Sequence, residues 1–182
     1  MLLAGTIAVF ALLELRQAFK RRAEATNADR GSRVVITVCI VGAFLLAALA
    51  RSRAPAAAFP GGAVTFGAGL ALIWAGIALR WWAFRTLGRY FTFNVMTSTD
   101  QPVITTGPYR VLRHPSYAAL LLIFAGIGIT YANWLSLAAL ILLPLVGLVN
   151  RIRVEEAALS ATLGNAYSSY AASRKRLIPF VW

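Results

Sequence analysis

The sequence predicts an all-α integral membrane protein of about five transmembrane helices, and three observations carry that prediction. Of the 182 residues 59% are hydrophobic and only 13% are charged, against about 45–50% and about 25% in soluble domains. From Pro115 to Asn150 the chain carries no charged side chain, while a crossing helix needs roughly 20 apolar residues. The basic residues behind the net charge of +12 flank apolar runs instead of forming a stripe. That is the pattern of membrane-protein loops, and it argues against nucleic acid as a partner.

In chain order, residues 2–19 form the first span, cut short by Glu14 and Arg16 and so polar at its inner end. No basic stretch precedes it, which departs from the signal-peptide pattern. Lys20–Arg33 is a charged loop. Val34–Ala50 is the second span and holds Cys39, the single cysteine, a small core residue without a disulfide or metal-ligand set. Arg51–Gly61 is a short Pro/Ala/Gly connection to the third span, Gly62–Leu79, after which Arg80, Trp81 and Trp82 mark an interface. The fourth and fifth spans, Pro115–Ala132 and Trp134–Val149, are separated by Asn133 alone, a tight antiparallel hairpin. Sixteen helical residues reach about 24 Å, short of a hydrocarbon core of about 30 Å, so the hairpin is expected to thin the bilayer or to cross incompletely. Gly126 and Gly128 suit close helix packing. Residues 1–84 read as the N-terminal helices and 85–182 as the catalytic core of one structural domain.

Charge sets the topology. The loop after span one holds Arg16, Lys20, Arg21, Arg22, Arg30 and Arg33; the segment after span three holds Arg80, Arg85, Arg89, Arg110 and Arg113. The tail after span five adds Arg151, Arg153, Arg174, Lys175 and Arg176, whereas the other two connections share Arg51 and Arg53. Sixteen against two predicts an N-terminus outside and a C-terminus in the cytoplasm, in the inner or plasma membrane if the protein is bacterial.

Chemistry is expected around Gly107–Tyr117, which contains the single histidine, two arginines, two tyrosines and two prolines. Gly107-Pro108 signals a turn. Pro115 suits the first turn of a helix and pushes His114 into an extended conformation just outside it. Unpaired N–H groups at a helix start favour an anion. Arg113, His114, Tyr117 and the helix start should therefore converge on one polar pocket at the membrane surface.

Three further stretches bear on that pocket. The long connection 85–106, where Phe91, Phe93 and Val95 alternate with Thr92 and Asn94, is either an interfacial loop or a flap over the site. In Asn150–Leu159 the helical spacings pair Arg151 with Glu155 and Arg153 with Glu156. The two glutamates diverge by about 100°, so one can face a ligand while the other pairs with arginine. Tyr167 and Tyr170 share one helical face, and the apolar tail 177–182 folds back on the membrane or the protein.

The pattern G-P-Y-R-x-x-R-H-P-S-Y, an Asn-turn hairpin, R-x-x-x-E-E-x-x-L, L-G-x-x-Y-x-x-Y and a closing I-P-F resembles the isoprenylcysteine carboxyl methyltransferase family over roughly 85–182. Leu87-Gly88-Arg89 and Val103–Thr106 resemble that family's approach to the motif. The resemblance implies a cytosolic pocket for S-adenosylmethionine, yielding S-adenosylhomocysteine, and a lipid acceptor entering from the bilayer, by default the carboxylate of a prenylated cysteine. Cofactor contacts would fall on Tyr109, Arg113, His114, Pro115, Tyr117, Glu155, Glu156, Tyr167 and Tyr170. Arg151 or Arg153 would orient the acceptor, and Glu156 would hold the cofactor's ammonium. Ala118 and Ala119 replace a glycine common after the RHPxY tyrosine, and Trp134 a proline common after the hairpin asparagine. No metal is implied. A phospholipid N-methyltransferase or phenolic-lipid O-methyltransferase, an NADPH-dependent sterol-type reductase and a non-catalytic membrane scaffold are the alternatives.

Overall fold

The computed structural model describes residues 2–18, 26–27, 31–90, 96–97, 102–179 and 181–182. Helices dominate: α1 is Leu2–Ala18, α2 Ser32–Arg53, α3 Ala63–Leu87, α4 Pro115–Thr130, α5 Trp134–Leu163 and α6 Asn165–Ala172. Two two-residue strands, β1 (Thr26–Asn27) and β2 (Met96–Thr97), pair antiparallel. The chain is a membrane protein: α2, α3 and α5 are each long and apolar enough to cross a bilayer, and α4 is a shorter apolar helix. Of the connection 85–106, read as an interfacial loop or a flap, the alternating stretch 91–95 and residues 98–101 lie outside the described residues.

Several helices outrun their expected spans because nothing in the sequence stops them. The third span was expected to end at Leu79, but α3 runs eight residues further, to Leu87, and is closed by Gly88 at φ 55, a positive φ that glycine adopts without strain. Arg80 therefore sits on a continuing helix and is buried rather than interfacial, while Trp81 and Trp82 stay about half exposed. The fifth span was expected to end at Val149. Its helix was expected either to continue past that point or to give way to a new one, and it continues: α5 has 30 residues, about 45 Å, and carries Arg151 to Glu156 beyond the apolar run. It is closed by Gly164, again at a positive φ of 53. α1, by contrast, keeps close to the expected 2–19, running through Glu14 to Ala18.

α3 lies against α4, α2 against α5, and α4 meets α5 in the hairpin. Small residues set these distances. A Cβ on Gly126 would stand 2.6 Å from the Gly69 carbonyl oxygen, and one on Gly128 would stand 2.8 Å from Leu137 Cα. The backbones thus approach as small-residue interfaces in membranes do, and the packing role expected of both glycines holds. Ala43, Ala47, Ile73, Ile123, Phe124, Leu140 and Leu148 form the core between the pairs.

The hairpin turn comprises Tyr131, Ala132 and Asn133, slightly longer than the single asparagine expected. Asn133 Oδ1 caps α5 by accepting from the Ser136 N–H at 3.0 Å, and its Nδ2 donates to the Ala54 carbonyl at 3.0 Å. Ser136 Oγ donates to the Ala47 carbonyl at 2.7 Å. The turn therefore lies beside the end of α2, and the β1–β2 pair joins the connection after α1 to that after α3.

Candidate active site

The motif is held from behind by the C-terminal tail. Gly107–Arg110 is a 3-10 turn with Pro108 and Tyr109 buried. Leu112 then runs parallel to Lys175, with the Arg113 N–H donating to the Lys175 carbonyl (2.8 Å) and the His114 N–H to the Arg176 carbonyl (3.0 Å). Tyr170 Oη donates to the carbonyls of Tyr109 (2.8 Å) and Leu112 (3.3 Å). The motif's own backbone is thus satisfied by the tail and α6. As expected, His114 stands just outside α4 and Pro115 occupies its first turn, but at φ −125 and ψ 57 the His114 backbone is not in the extended conformation expected of it.

The side chains meet the α5 extension. Glu156 Oε1 lies 3.1 Å from His114 Nε2 and 3.0 Å from Arg113 Nη1, while Oε2 accepts from Arg176 Nε at 3.0 Å and Nη2 at 2.9 Å. One turn edge away, Tyr117 Oη donates to Glu155 Oε2 at 2.6 Å and accepts from Arg151 Nε at 2.9 Å. Arg151 Nη1 also donates to Ser32 Oγ at 3.2 Å. The His114 and Tyr117 rings stack with centroids 5.4 Å apart. The two glutamates differ: Glu156 is enclosed by Arg113, His114 and Arg176 at 12% side-chain exposure, and Glu155 keeps 30%.

Buried phenols complete the wall. Burial, reinforced by the charges of Glu156 and Glu155, pushes the Tyr167 hydroxyl well above its ordinary range. Burial does the same to Tyr109, with Glu155 adding, and pushes Tyr170 up to about 12 against the pull of Arg174 and Arg113. All three remain protonated near neutral pH and can act as donors. Tyr167 Oη and Arg113 Nε are buried and without a hydrogen-bond partner, two donor positions a bound polar ligand would satisfy.

On the other side of Tyr117 lies a cavity of about 660 Å³ between α1, α2, α3, α4 and α5. Its shaft is lined by Phe10, Ile40, Phe44, Ile73, Phe124 and Ile127, and its polar end by Glu14, Arg33, Arg80, Tyr117 and Arg151. Arg80 Nη2 donates to Glu14 Oε2 at 2.7 Å, and Nη1 donates to the Ser116 carbonyl (2.9 Å) and Oγ (2.7 Å). Tyr117 and Arg151 thus belong both to the charged cluster and to the cavity.

The structure brings together Arg113, His114, Tyr117, Glu155, Glu156 and Arg151, with Pro115, Tyr109, Tyr167 and Tyr170 as support. The expected i,i+3 pairing of Arg153 with Glu156 does not form: Glu156 turns to the motif and the tail, and Arg153 is exposed. Arg176, Ser116, Arg80 and Glu14 were not foreseen as site residues. Arg176 had been counted as a topology charge, and the sole sequence signal for Glu14 was a carboxylate interrupting an apolar run.

A family model of phospholipid methyltransferases matches residues 64–166. Protein-S-isoprenylcysteine O-methyltransferase A of Arabidopsis thaliana is 33% identical over 98 residues, covering 53% of this chain and 50% of that protein. A probable protein-S-isoprenylcysteine O-methyltransferase of Oryza sativa subsp. indica is also 33% identical over 98 residues, 53% of this chain and 51% of that protein. The solved structure of the eukaryotic intramembrane Ras methyltransferase ICMT (isoprenylcysteine carboxyl methyltransferase) matches with a TM-score of 0.65 and 27% identity, over 80% of this chain and 52% of that one. The chain spans about half the length of the curated relatives it matches.

Proposed function

We propose, for a chain that belongs to the phospholipid methyltransferase family, a membrane methyltransferase that uses S-adenosylmethionine and acts on a lipid-like acceptor. The acceptor group we infer is the carboxylate of a prenylated cysteine, the substrate type in the names of the plant relatives. One observation carries the reading. A compact cluster of both signs of charge, from Arg113 to Glu156, shares Tyr117 and Arg151 with an apolar cavity. Polar donor chemistry and a lipid tail would meet at that shared edge.

The residues suit the two substrates. A methionine moiety is zwitterionic and needs cationic donors for its carboxylate and an acid for its ammonium. Arg113, His114 and the Tyr167 hydroxyl supply the donors, and two of those three side chains carry the buried atoms without a partner. Glu155 supplies the acid. Glu156 was the expected choice, but its carboxylate is spent on Arg113, His114 and Arg176, so we assign it to holding those donors in place. The cofactor, when bound, supplies an electrophilic methyl group on a cationic sulfur, which tyrosine faces attract.

On the acceptor side the shaft takes the hydrocarbon tail, and Arg151, at its polar end, orients the carboxylate. The exposed Arg153 lies outside the cavity lining, so that role falls to Arg151 alone. A carboxylate is ionised near neutral pH, and no side chain need act as base. The residues then contribute alignment and the exclusion of water from the apolar shaft.

We further infer five spans, α1 to α5, with the N-terminus outside and the α5 extension, α6 and the motif cytoplasmic. The charge asymmetry of sixteen to two supports this orientation. The Ala58–Asn133 bridge at one end and the β1–β2 pair at the other suit alternating crossings. Residues 1–84 supply most of the cavity wall and 85–182 the charged cluster. Titration of the full chain in lipid nanodiscs with S-adenosylhomocysteine and, separately, NADPH tests the reading. Saturable binding of the first alone is expected; binding of NADPH alone would replace it with a reductase.

A further inference from the structure

Glu14 lines the polar end of the cavity but has been given no role. It lies on α1, outside the matched residues 64–166, and among the described residues of α1 only Thr6 is buried. A carboxylate on such a helix is costly to insert into the membrane, and a solvated position nearer the end would avoid that cost. Instead Glu14 lies at 22% side-chain exposure against the guanidinium of Arg80, which is itself at 6%. Both carboxylate oxygens are engaged, by Nε and Nη2, the two-pronged geometry that fixes a guanidinium's plane. The remaining nitrogen, Nη1, is thereby aimed at Ser116 and holds both its carbonyl and its Oγ.

Ser116 occupies the first turn of α4, between Pro115 and Tyr117. Its neighbour His114 meets Glu156, and Tyr117 meets both Glu155 and Arg151. A chain of direct contacts therefore runs from span one through Arg80 to the helix start carrying the site. Glu14, Arg80 and Tyr117 also line the polar end of one cavity. We propose that Glu14 is a positioning residue for methyl transfer: by orienting Arg80 it fixes the first turn of α4, and with it the placement of His114 and Tyr117. This rests on the methyltransferase reading, and it makes span one part of the site rather than an anchor. Groups that support a reacting constellation in this way hold it to within about 0.5 Å.

The test uses the full chain in nanodiscs. Glu14→Gln keeps the shape and loses the charge that fixes the guanidinium; Ser116→Ala removes one of its acceptors further along. Glu14→Gln should lower kcat toward a prenylcysteine analogue at least about tenfold with S-adenosylhomocysteine affinity changed less than about threefold, and Glu14→Asp should restore part of the loss. The double variant should lose about as much as Glu14→Gln alone, because both changes cut one path. Multiplying losses, or an unchanged kcat in Glu14→Gln, would overturn the proposal. Hydrogen exchange gives a readout independent of activity. Glu14→Gln should speed exchange in residues 114–118 while leaving 134–148 as in the parent protein; exchange rising across the whole chain, or not at all in 114–118, would also overturn it. A parent protein that transfers no methyl group to any lipid would instead sink the methyltransferase reading, and the exchange result would still decide whether Glu14 fixes the helix start.

Discussion

The two ends of the helix bundle solve the same problem with opposite chemistry. At the hairpin end Asn133 and Ser136 are buried, neutral and matched to backbone groups: each bond closes a cap or ties α5 to the end of α2. At the other end charged side chains of α3, α5, the motif and the tail are buried or half-buried together with the hydroxyls of Ser32, Ser116 and Tyr117, and two donors there have no hydrogen-bond partner. Neutral caps add about 1 kcal/mol each and want no further partner. A cluster of mixed charge with buried unmatched donors is costly to keep and is what a site for a zwitterionic ligand requires. The difference separates the end that joins helices from the end we propose to bind the cofactor.

The largest effect is expected at Glu156. Glu156→Gln leaves Arg113, His114 and Arg176 around a neutral group, a loss of about 3 kcal/mol for breaking a largely buried pairing. Thermal midpoint and S-adenosylhomocysteine affinity should fall together. An unchanged midpoint would show that Glu156 is not what holds the tail to the motif. Glu155→Gln should divide the two readouts, weakening S-adenosylhomocysteine about tenfold, or about 1.4 kcal/mol, with the midpoint nearly unmoved. If affinity instead survives in Glu155→Gln and is lost in Glu156→Gln without unfolding, the ammonium belongs to Glu156 as the sequence first suggested. Smallest should be Asn133→Ala at the opposite end. It should cost about 1 kcal/mol of stability and leave cofactor affinity within about twofold; a large affinity loss there would erase the contrast between the ends.

How much of this was legible follows from where the information lies. Pro115 fixes both its own helix start and the exclusion of His114 from it, so the convergence of Arg113, His114 and Tyr117 could be read from eleven residues. Gly126 and Gly128 were equally readable, since an apolar helix has few other uses for them. Arg80 was not: an arginine closing an apolar run looks the same whether it reaches the interface or turns inward to a carboxylate 66 positions away. Nor was Arg176, whose meeting with Glu156 depends on the tail running parallel to Leu112, a pairing with no local signal. The helical spacings in α5 misled for the same reason. Arg153 is a permissible partner for Glu156, but the motif and tail bring Arg113, His114 and Arg176, which are less solvated.

Orientation can be tested with single cysteines placed at Ser52 and Thr99 in a Cys39→Ala background. An impermeant thiol reagent applied to intact cells should label the first and not the second, and the reverse pattern would invert the topology.

The most direct test of the central claim is transfer of radiolabelled methyl from S-adenosylmethionine to a prenylcysteine analogue, measured with the full chain in nanodiscs at saturating cofactor from pH 6.5 to 9. A carboxylate acceptor is ionised throughout this range, so labelled product is expected at a rate that varies less than about threefold. No label in the analogue, with label entering extracted membrane lipid at a rate climbing about tenfold per pH unit below pH 7.5, would mean an acceptor that must first lose a proton, and would contradict the account.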